Sequence, residues 1–530
     1  MTADDDAHSI GRRGFLAMTG AAAAAAGMHH AKAAATHDFL SLGAVRLAAA
    51  LKAGKVSAVE VMAACLDRIE QLNPKVNAIV ALQDRDQLLA AAKAQDDRRA
   101  RGEELGPLAG FPFAIKDLQP TKGIRTTMGS PILKDWVPEA DSIMVGRIRR
   151  AGAILIGKTN TPEFGLGSQT YNPVYGATRN AYDQTKTSGG SSGGAAVALA
   201  LHMVPLADGS DYGGSLRNPA GWNNVFGFRP CTGRVPAHGP DAFLPSMGVS
   251  GPMARNAADL GFLLSVQAGY DARAPLSIPE DPARFADTLT GDVRGKRIAW
   301  GGDFNGYLPF EPGVLDTCRQ SVATFEHLGC KVEEAIPDYP VDKVWRAWVT
   351  LRAWQAGGNL LVYYNDPAKR ALMKPEAIFE VESGLKLSAY DVTAAEAVRA
   401  EWYDAVRRFF ERFDFFVLPT AQLFPFDVDL HWPQEIAGHR METYHEWMKV
   451  TLPVTMSGCP ALAAPAGFGP HGLPIGIQIV GPNHAEMECL RLAYAYDEAT
   501  RWPSRPPPLL GALAGTSAEK AATPHPPSHR

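Results

Sequence analysis

Two short stretches of this sequence gather glycine around serine. The first reads Ser188-Gly189-Gly190-Ser191-Ser192-Gly193-Gly194, and the second reads Gly209-Ser210-Asp211-Tyr212-Gly213-Gly214-Ser215-Leu216-Arg217-Asn218-Pro219. Glycine lets the backbone approach a ligand closely and adopt angles closed to other residues. A glycine run ending on an interior serine can aim several backbone N–H groups at one point, which stabilises a developing oxyanion. The chemistry this suggests is acyl transfer to a serine. A serine hydroxyl is a poor nucleophile until a base takes its proton. No G-x-S-x-G turn surrounds Ser215, and no histidine is placed as its partner. A lysine can serve as the base if burial or a nearby cation lowers its pKa. Lys116, which ends the apolar stretch 106–116, is such a residue; taken alone it would read as a surface salt-bridge lysine.

Other elements must position these residues. Stretches 39–53 and 57–71 carry apolar residues at helical spacing, and Ser57 with Glu60 three residues on forms a capping-box signature. Residues 85–101 read as a charged, alanine-rich helix. Residues 106–116 read as a turn and a short buried strand, 143–151 as a helix, and Ala153-Ile154-Leu155-Ile156 as a strand. Ala195 to Ala200 follow the first glycine run directly and read as a buried helix, so those glycines open a helix rather than form a linker. Helix and strand candidates keep alternating past residue 230, which predicts an α/β layer architecture. Residues 415–420 and 475–481 read as late buried strands.

The stretch 340–450 has a different texture. It holds Trp345, Trp348, Trp354, Trp402, Trp432 and Trp447 together with Tyr363, Tyr364, Tyr403 and Tyr444. Such residues pack helices, and some can line a pocket for a bulky apolar or aryl group.

With 530 residues, 46% hydrophobic and 20% charged, the chain can bury a large core. A net charge of −4 gives no basic excess of the kind nucleic-acid binding needs. The six cysteines form no C-x-x-C pair and no zinc-ligand spacing, and read as scattered buried small hydrophobes. Arg12-Arg13 ahead of Phe15-Leu16 and a mildly apolar alanine run predict a twin-arginine export signal over 1–33, ending at Ala31-Lys32-Ala33. That run is too short and weak to span a membrane stably. The expected location is therefore periplasmic or secreted. Residues 34–505 are expected to form one domain, and 506–530, rich in Pro, Ala and His, a disordered tail.

Taken together, these motifs make a chain that resembles the amidase signature family. The G-G-S-S-G-G run at 189–194, the D-x-G-G-S-x-R pattern at 211–217 and Lys116-Asp117 after an apolar strand carry the likeness. Lys116 and Ser191 stand 75 residues apart and Ser191 and Ser215 stand 24 apart, the separations expected of members. GKTNTPEFGLGS at 157–168 and GLPIGIQIVGP at 472–482 extend the likeness over about residues 40 to 500. The resemblance implies a single α/β domain with a mixed β-sheet core covered by helices on both sides. It implies Ser215 as the acylated nucleophile, Ser191 after a cis peptide bond as the bridge to Lys116, and Lys116 as the base. Backbone N–H groups of Tyr212, Gly213, Gly214 and Ser215 would form the oxyanion hole, and Gly165 would lie near the leaving side of the substrate. Ser192, Asp211 and Arg217 would support the site from behind. No cofactor or metal is implied; the partner is a small-molecule amide.

Two departures stand out: Trp222 within Ala220-Gly221-Trp222-Asn223-Asn224, and Phe228-Arg229-Pro230-Cys231 where many members have Lys-Pro-Thr or Lys-Pro-Ser. Trp222 is expected to reshape nearby packing, and Cys231 to be structural. Three rival readings compete. A glutamine-hydrolysing amidotransferase subunit would share the fold, but its work is cytoplasmic. A silent binding protein would not need all three catalytic positions filled. A phosphate-loop protein is suggested by Gly152 to Thr159, which matches the pattern literally; the four residues between its glycines read as a strand, and no helix follows.

Overall fold

The computed structural model describes residues 39–239, 242–244 and 247–513. The expected export segment 1–33 lies outside the described residues, as does the chain beyond 513.

Local sequence explains where the elements begin. Helix α1 (Ala58–Val76) starts on Ser57, whose hydroxyl accepts the Glu60 N–H at 3.1 Å while the Glu60 carboxylate accepts the Ser57 N–H at 2.9 Å. Its buried residues Val61, Cys65, Leu66, Ile69 and Leu72 recur at helical spacing and face the core. Strands β1 (Ile79–Val80), β2 (Pro112–Lys116) and β3 (Ile154–Thr159) form a three-stranded sheet in the order β1-β3-β2, with β2 parallel to β3. Gly152 to Thr159 is thus mostly strand, and the next element is a short 3₁₀ turn at Glu163–Gly165, so no phosphate loop is formed.

The larger sheet has eight strands: β4 (Ala207–Asp211), β5 (Phe226–Arg229), β6 (Val249–Ala254), β7 (Arg297–Trp300), β8 (Lys331–Glu334), β9 (Phe415–Pro419) and, after a small hairpin of β10 (Glu435–Ile436) and β11 (His439–Arg440), β12 (Ala461–Phe468) and β13 (Pro474–Val480). The order is β4-β6-β5-β12-β13-β9-β7-β8, antiparallel except where β7 pairs with β8 and β9. Strands β2, β3, β5, β9 and β13 are buried at every position, as in a sheet covered on both faces. The expected mixed sheet is present, divided into two. Edge strand β2 of the small sheet runs beside edge strand β4 of the large one. No backbone ladder joins them; the Lys116 N–H donates to Asp208 Oδ1 at 3.0 Å across the seam.

Helix α2 (Gly193–Ala200) is fully buried behind that seam, as its apolar sequence requires, and α3 (Asn218–Trp222) packs on β12 and β13. A helical layer of α4 (Val341–Tyr364), α5 (Pro375–Gly384) and the helix 389–409 covers the aromatic-rich region. Among the described residues no helix is long and apolar enough to cross a membrane. All six cysteines are buried and unpaired. The ordered chain runs past residue 505: residues 508–513 are helical, with Leu509, Leu510 and Leu513 packed against the core. Those leucines give the segment an apolar face, which the overall Pro and Ala content hid.

Candidate active site

Lys116 ends β2 with its side chain fully buried. Its Nζ lies 2.8 Å from Ser191 Oγ, 2.8 Å from Ser192 Oγ, 3.0 Å from Ser210 Oγ and 3.3 Å from the Ser210 carbonyl oxygen. Every one of these partners is a neutral oxygen. Burial brings the Lys116 amine down to about 7, against the opposing pull of Asp208 and Asp211. Near neutrality such an amine is available to take a proton.

Ser191 and Ser192 sit where the first glycine run enters α2, and the Gly190–Ser191 peptide bond is cis. The Gly190 N–H donates to Asn218 Oδ1 at 3.3 Å, which docks this loop against the turn carrying Ser215. Gly165 closes the other side. Its φ is +73°, a conformation that favours glycine, and a β-carbon there would press on Leu118 Cδ1 at 2.7 Å and lie 3.6 Å from the Ser191 hydroxyl. Ser192, expected to act from behind, touches Lys116 as closely as Ser191 does.

Ser215 is 6% exposed and follows Gly214, whose φ of +111° turns the chain sharply out of β4. Its hydroxyl makes no hydrogen bond to a described residue, so the Lys116–Ser191 half of the expected relay is joined in this state and the Ser191–Ser215 half is not. Hydrogen bonds of this kind commonly tighten only when substrate is bound. The four expected oxyanion donors also need correcting. The Gly214 N–H donates to Asp211 Oδ1 at 2.9 Å, a local Asp turn that removes it from the set. No described group accepts from the N–H of Tyr212, Gly213 or Ser215.

Asp211 anchors that turn. Arg217 grips it with Nε and Nη2, both at 2.9 Å, and spends its remaining donors on Thr451 O, Gln478 Oε1 and Thr455 Oγ1, each at 2.8 Å. Arg229 adds a second cation, its Nη1 lying 3.2 Å from Asp211 Oδ1. Burial alone would raise the Asp211 carboxyl, but the two arginines hold it well below the usual range. Arg229, noted in the sequence only as a departure, thus belongs to this support. Trp222, the other departure, is buried behind the first glycine run, stacked on Trp447 at 5.5 Å with its indole N–H donated to Leu423 O.

Helix α4 supplies a second wall. Trp348, Arg352 and Gln355 share one helical face. A β-carbon on Gly213 would lie 3.5 Å from the Trp348 ring, the Arg352 guanidinium sits 4.5 Å over the Tyr212 ring, and Gln355 Oε1 accepts the Tyr212 hydroxyl at 2.8 Å. Glu380 on α5 pairs with Arg352 at 2.9 Å and also accepts from Tyr444 and His445. Beyond Gln355 lies a cavity of about 310 Å³ walled by Val235, Leu244, Leu276 and Trp354. Of the sequence's aromatic candidates, Trp348, Trp402 and Trp447 are buried in the core, Trp348 beside Gly213, whereas Trp354 lines this cavity.

A family profile described as Amidase matches residues 60–490, spanning both glycine runs and Lys116. The chain belongs to the amidase signature family. This amidase is 34% identical over 470 residues to an acylamidase of Rhodococcus erythropolis, covering 88% of this chain and 97% of that protein. It is 35% identical over 482 residues to a glutamyl-tRNA(Gln) amidotransferase subunit of Chloroflexus aurantiacus, covering 87% and 97%. A bacterial aryl acylamidase structure superposes with a TM-score of 0.81 at 29% identity, covering 88% of this chain and 99% of that one. A 6-aminohexanoate cyclic dimer hydrolase superposes with a TM-score of 0.77 at 25% identity, covering 89% and 99%. The amidase is a hydrolase acting on amide C–N bonds.

Proposed function

We propose that this amidase hydrolyses a carboxylic amide through an acyl-enzyme on Ser215. The observation that carries the reading is Lys116: a fully buried amine whose direct partners are hydroxyls and one carbonyl. Ser215 Oγ attacks the amide carbon while its proton passes through Ser191 to Lys116. The N–H groups of Tyr212, Gly213 and Ser215 receive the negative charge on the carbonyl oxygen. Collapse of the tetrahedral intermediate breaks the C–N bond, and the departing amine takes the proton back by the same route. Water then attacks the ester carbonyl, delivers its proton to the relay and releases the acid with Ser215 restored. Esters and carbamates share this acyl chemistry.

A fluorophosphonate probe tests the roles. Wild type should be labelled at Ser215 and Ser215→Ala should not. Ser191→Ala should label slowly, because it loses a proton bridge and keeps the nucleophile. An adduct on Ser191 would overturn the assignment.

The apolar cavity beyond Gln355 and the Trp348 wall support an acyl or amine group of apolar or aryl character. This favours a free-standing amidase over the glutamine-hydrolysing component of a larger amidotransferase, although several relatives bear the latter name. Export through the twin-arginine route is part of the proposal and rests on Arg12-Arg13 ahead of Phe15-Leu16. Replacing both arginines with lysine should retain the protein in the cytoplasm; mature protein in the periplasm from that variant would refute it.

A further inference from the structure

The proton relay makes no use of two buried charged groups, Asp208 on β4 and Lys158 on β3. Both are fully buried. Asp208 Oδ1 accepts the Lys116 backbone N–H, while Oδ2 has no hydrogen-bond partner among the described residues. A carboxylate oxygen left without a partner in the interior is costly. Lys158 sits in register beside Ile115, one residue from Lys116 along β2. It donates to Gln119 O, Thr121 Oγ1 and Thr126 Oγ1 at 2.7, 2.8 and 3.1 Å, all neutral acceptors. A buried carboxylate therefore lies at the seam near two buried lysines, one on β2 and one on β3, and binds neither ammonium group directly.

We propose that Asp208 is a positioning residue for amide hydrolysis: it fixes the end of β2 through the Lys116 N–H, and its charge sets the proton affinity of the Lys116 amine, with Lys158 as the counter-charge. The proposal rests on the reading of Lys116 as the base.

The other groups facing Lys116 cannot do this. Helices α1 and α2, which pack on β2, turn apolar residues toward it. Asp211 also faces it from β4, but Arg217 and Arg229 already compensate that charge. Asp117, next along the chain, is engaged by the Thr127 N–H and hydroxyl and lies toward Lys158. Asp208 alone faces Lys116 with no bound cation. Burial pushes Asp208 up to about 6 and Lys158 down to about 8, so both change charge within the range in which Lys116 titrates.

The sign follows from electrostatics. A negative charge near Lys116 favours the ammonium form, which cannot accept a proton; a positive charge disfavours it. Asp208→Asn keeps the shape and can still accept the Lys116 N–H. It should move the acid limb of the kcat/KM profile to lower pH by roughly half to one unit, while the plateau falls less than about tenfold. Asp208→Ser, which also removes the charge, should move the limb the same way, and Asp208→Glu should stay near wild type. The experiment measures kcat/KM and fluorophosphonate labelling rate from pH 5 to 10 for these variants and for Lys116→Met. A purely structural Asp208 would lower the plateau with its midpoint unmoved, and that result overturns the proposal. If Asp208→Asn does not fold, Asp208→Ser still decides, because both remove the same charge. Activity retained in Lys116→Met would instead refute the base assignment; inactive Lys116→Met with unmoved midpoints would refute only the role of Asp208.

Discussion

On one side of Ser215 the site is built from short runs of sequence: Lys116 at a strand end, Ser191 and Ser192 at a helix entrance, and Ser210 to Arg217 in one sharp turn. On the other side, Trp348, Arg352 and Gln355 come from a long helix and are steadied by Glu380, Tyr444 and His445 from elsewhere in the chain. In the proposed mechanism the first wall handles protons and oxyanion charge, where a displacement of a fraction of an ångström matters. Its atoms are fixed by glycine conformations and backbone hydrogen bonds. The second wall presents shape and a buried ion pair, and it can vary without moving the reacting atoms. On the proposed mechanism, the division teaches where chemistry and selectivity can change independently: the strand-and-turn wall would set what bond is broken, and the helical wall whose bond it is.

Mutations should separate the two walls. The largest stability effect is expected from Arg217→Met, which leaves Asp211 with one of its two cations and empties five hydrogen bonds. Breaking a buried pair of this kind costs about 3–5 kcal/mol, to be read from the urea midpoint, and activity should fall alike for every amide tested. A fall confined to some substrates would erase the distinction between walls. Trp348→Phe should act the other way. Stability should change less, while kcat/KM for a bulky aryl amide should drop roughly tenfold relative to acetamide, the scale of a lost apolar contact. Equal losses for both amides would mean that Trp348 acts through packing alone and not on the substrate. The smallest effect belongs to Tyr212→Phe, which removes one hydrogen bond to Gln355, worth about 0.5–1.5 kcal/mol. It should raise KM more than it lowers kcat, because the Tyr212 backbone N–H stays in place. A kcat loss above about a hundredfold, the scale of a lost oxyanion donor, would mean that the helical wall governs the oxyanion donors themselves.

The same contrast explains what could be read in advance. Lys116, Ser191 and Ser215 were legible because fixed spacing and glycine runs mark them, and α1 because its cap and periodicity agree. Asp208 and Ser210 were missed, although once Ala207–Asp211 is known to be a strand, residues two apart must share a face. The loss of Gly214 as an oxyanion donor was also within reach, since an aspartate three residues before it invites a local turn. Arg352, Glu380 and His445 left no such trace: they meet only through the packing of α4 against α5, and no spacing records a contact between distant helices. The joint between the sheets was equally hidden, because two edge strands give the same buried pattern whether or not a ladder links them.

That joint has a consequence for how the protein comes apart. Regular ladders hold each sheet as a cooperative unit, while between β2 and β4 the bond from the Lys116 N–H to Asp208 and those from the Lys116 amine to Ser210 stand in place of a ladder. A boundary without a ladder therefore runs through the proposed catalytic residues, with Lys116 on one bank and Ser210 and Ser215 on the other. Sub-global opening along this line separates base from nucleophile while both sheets stay intact. Activity should then vanish at lower denaturant than the main unfolding transition, and the amide of Lys116 should exchange with solvent ahead of its neighbours within β2.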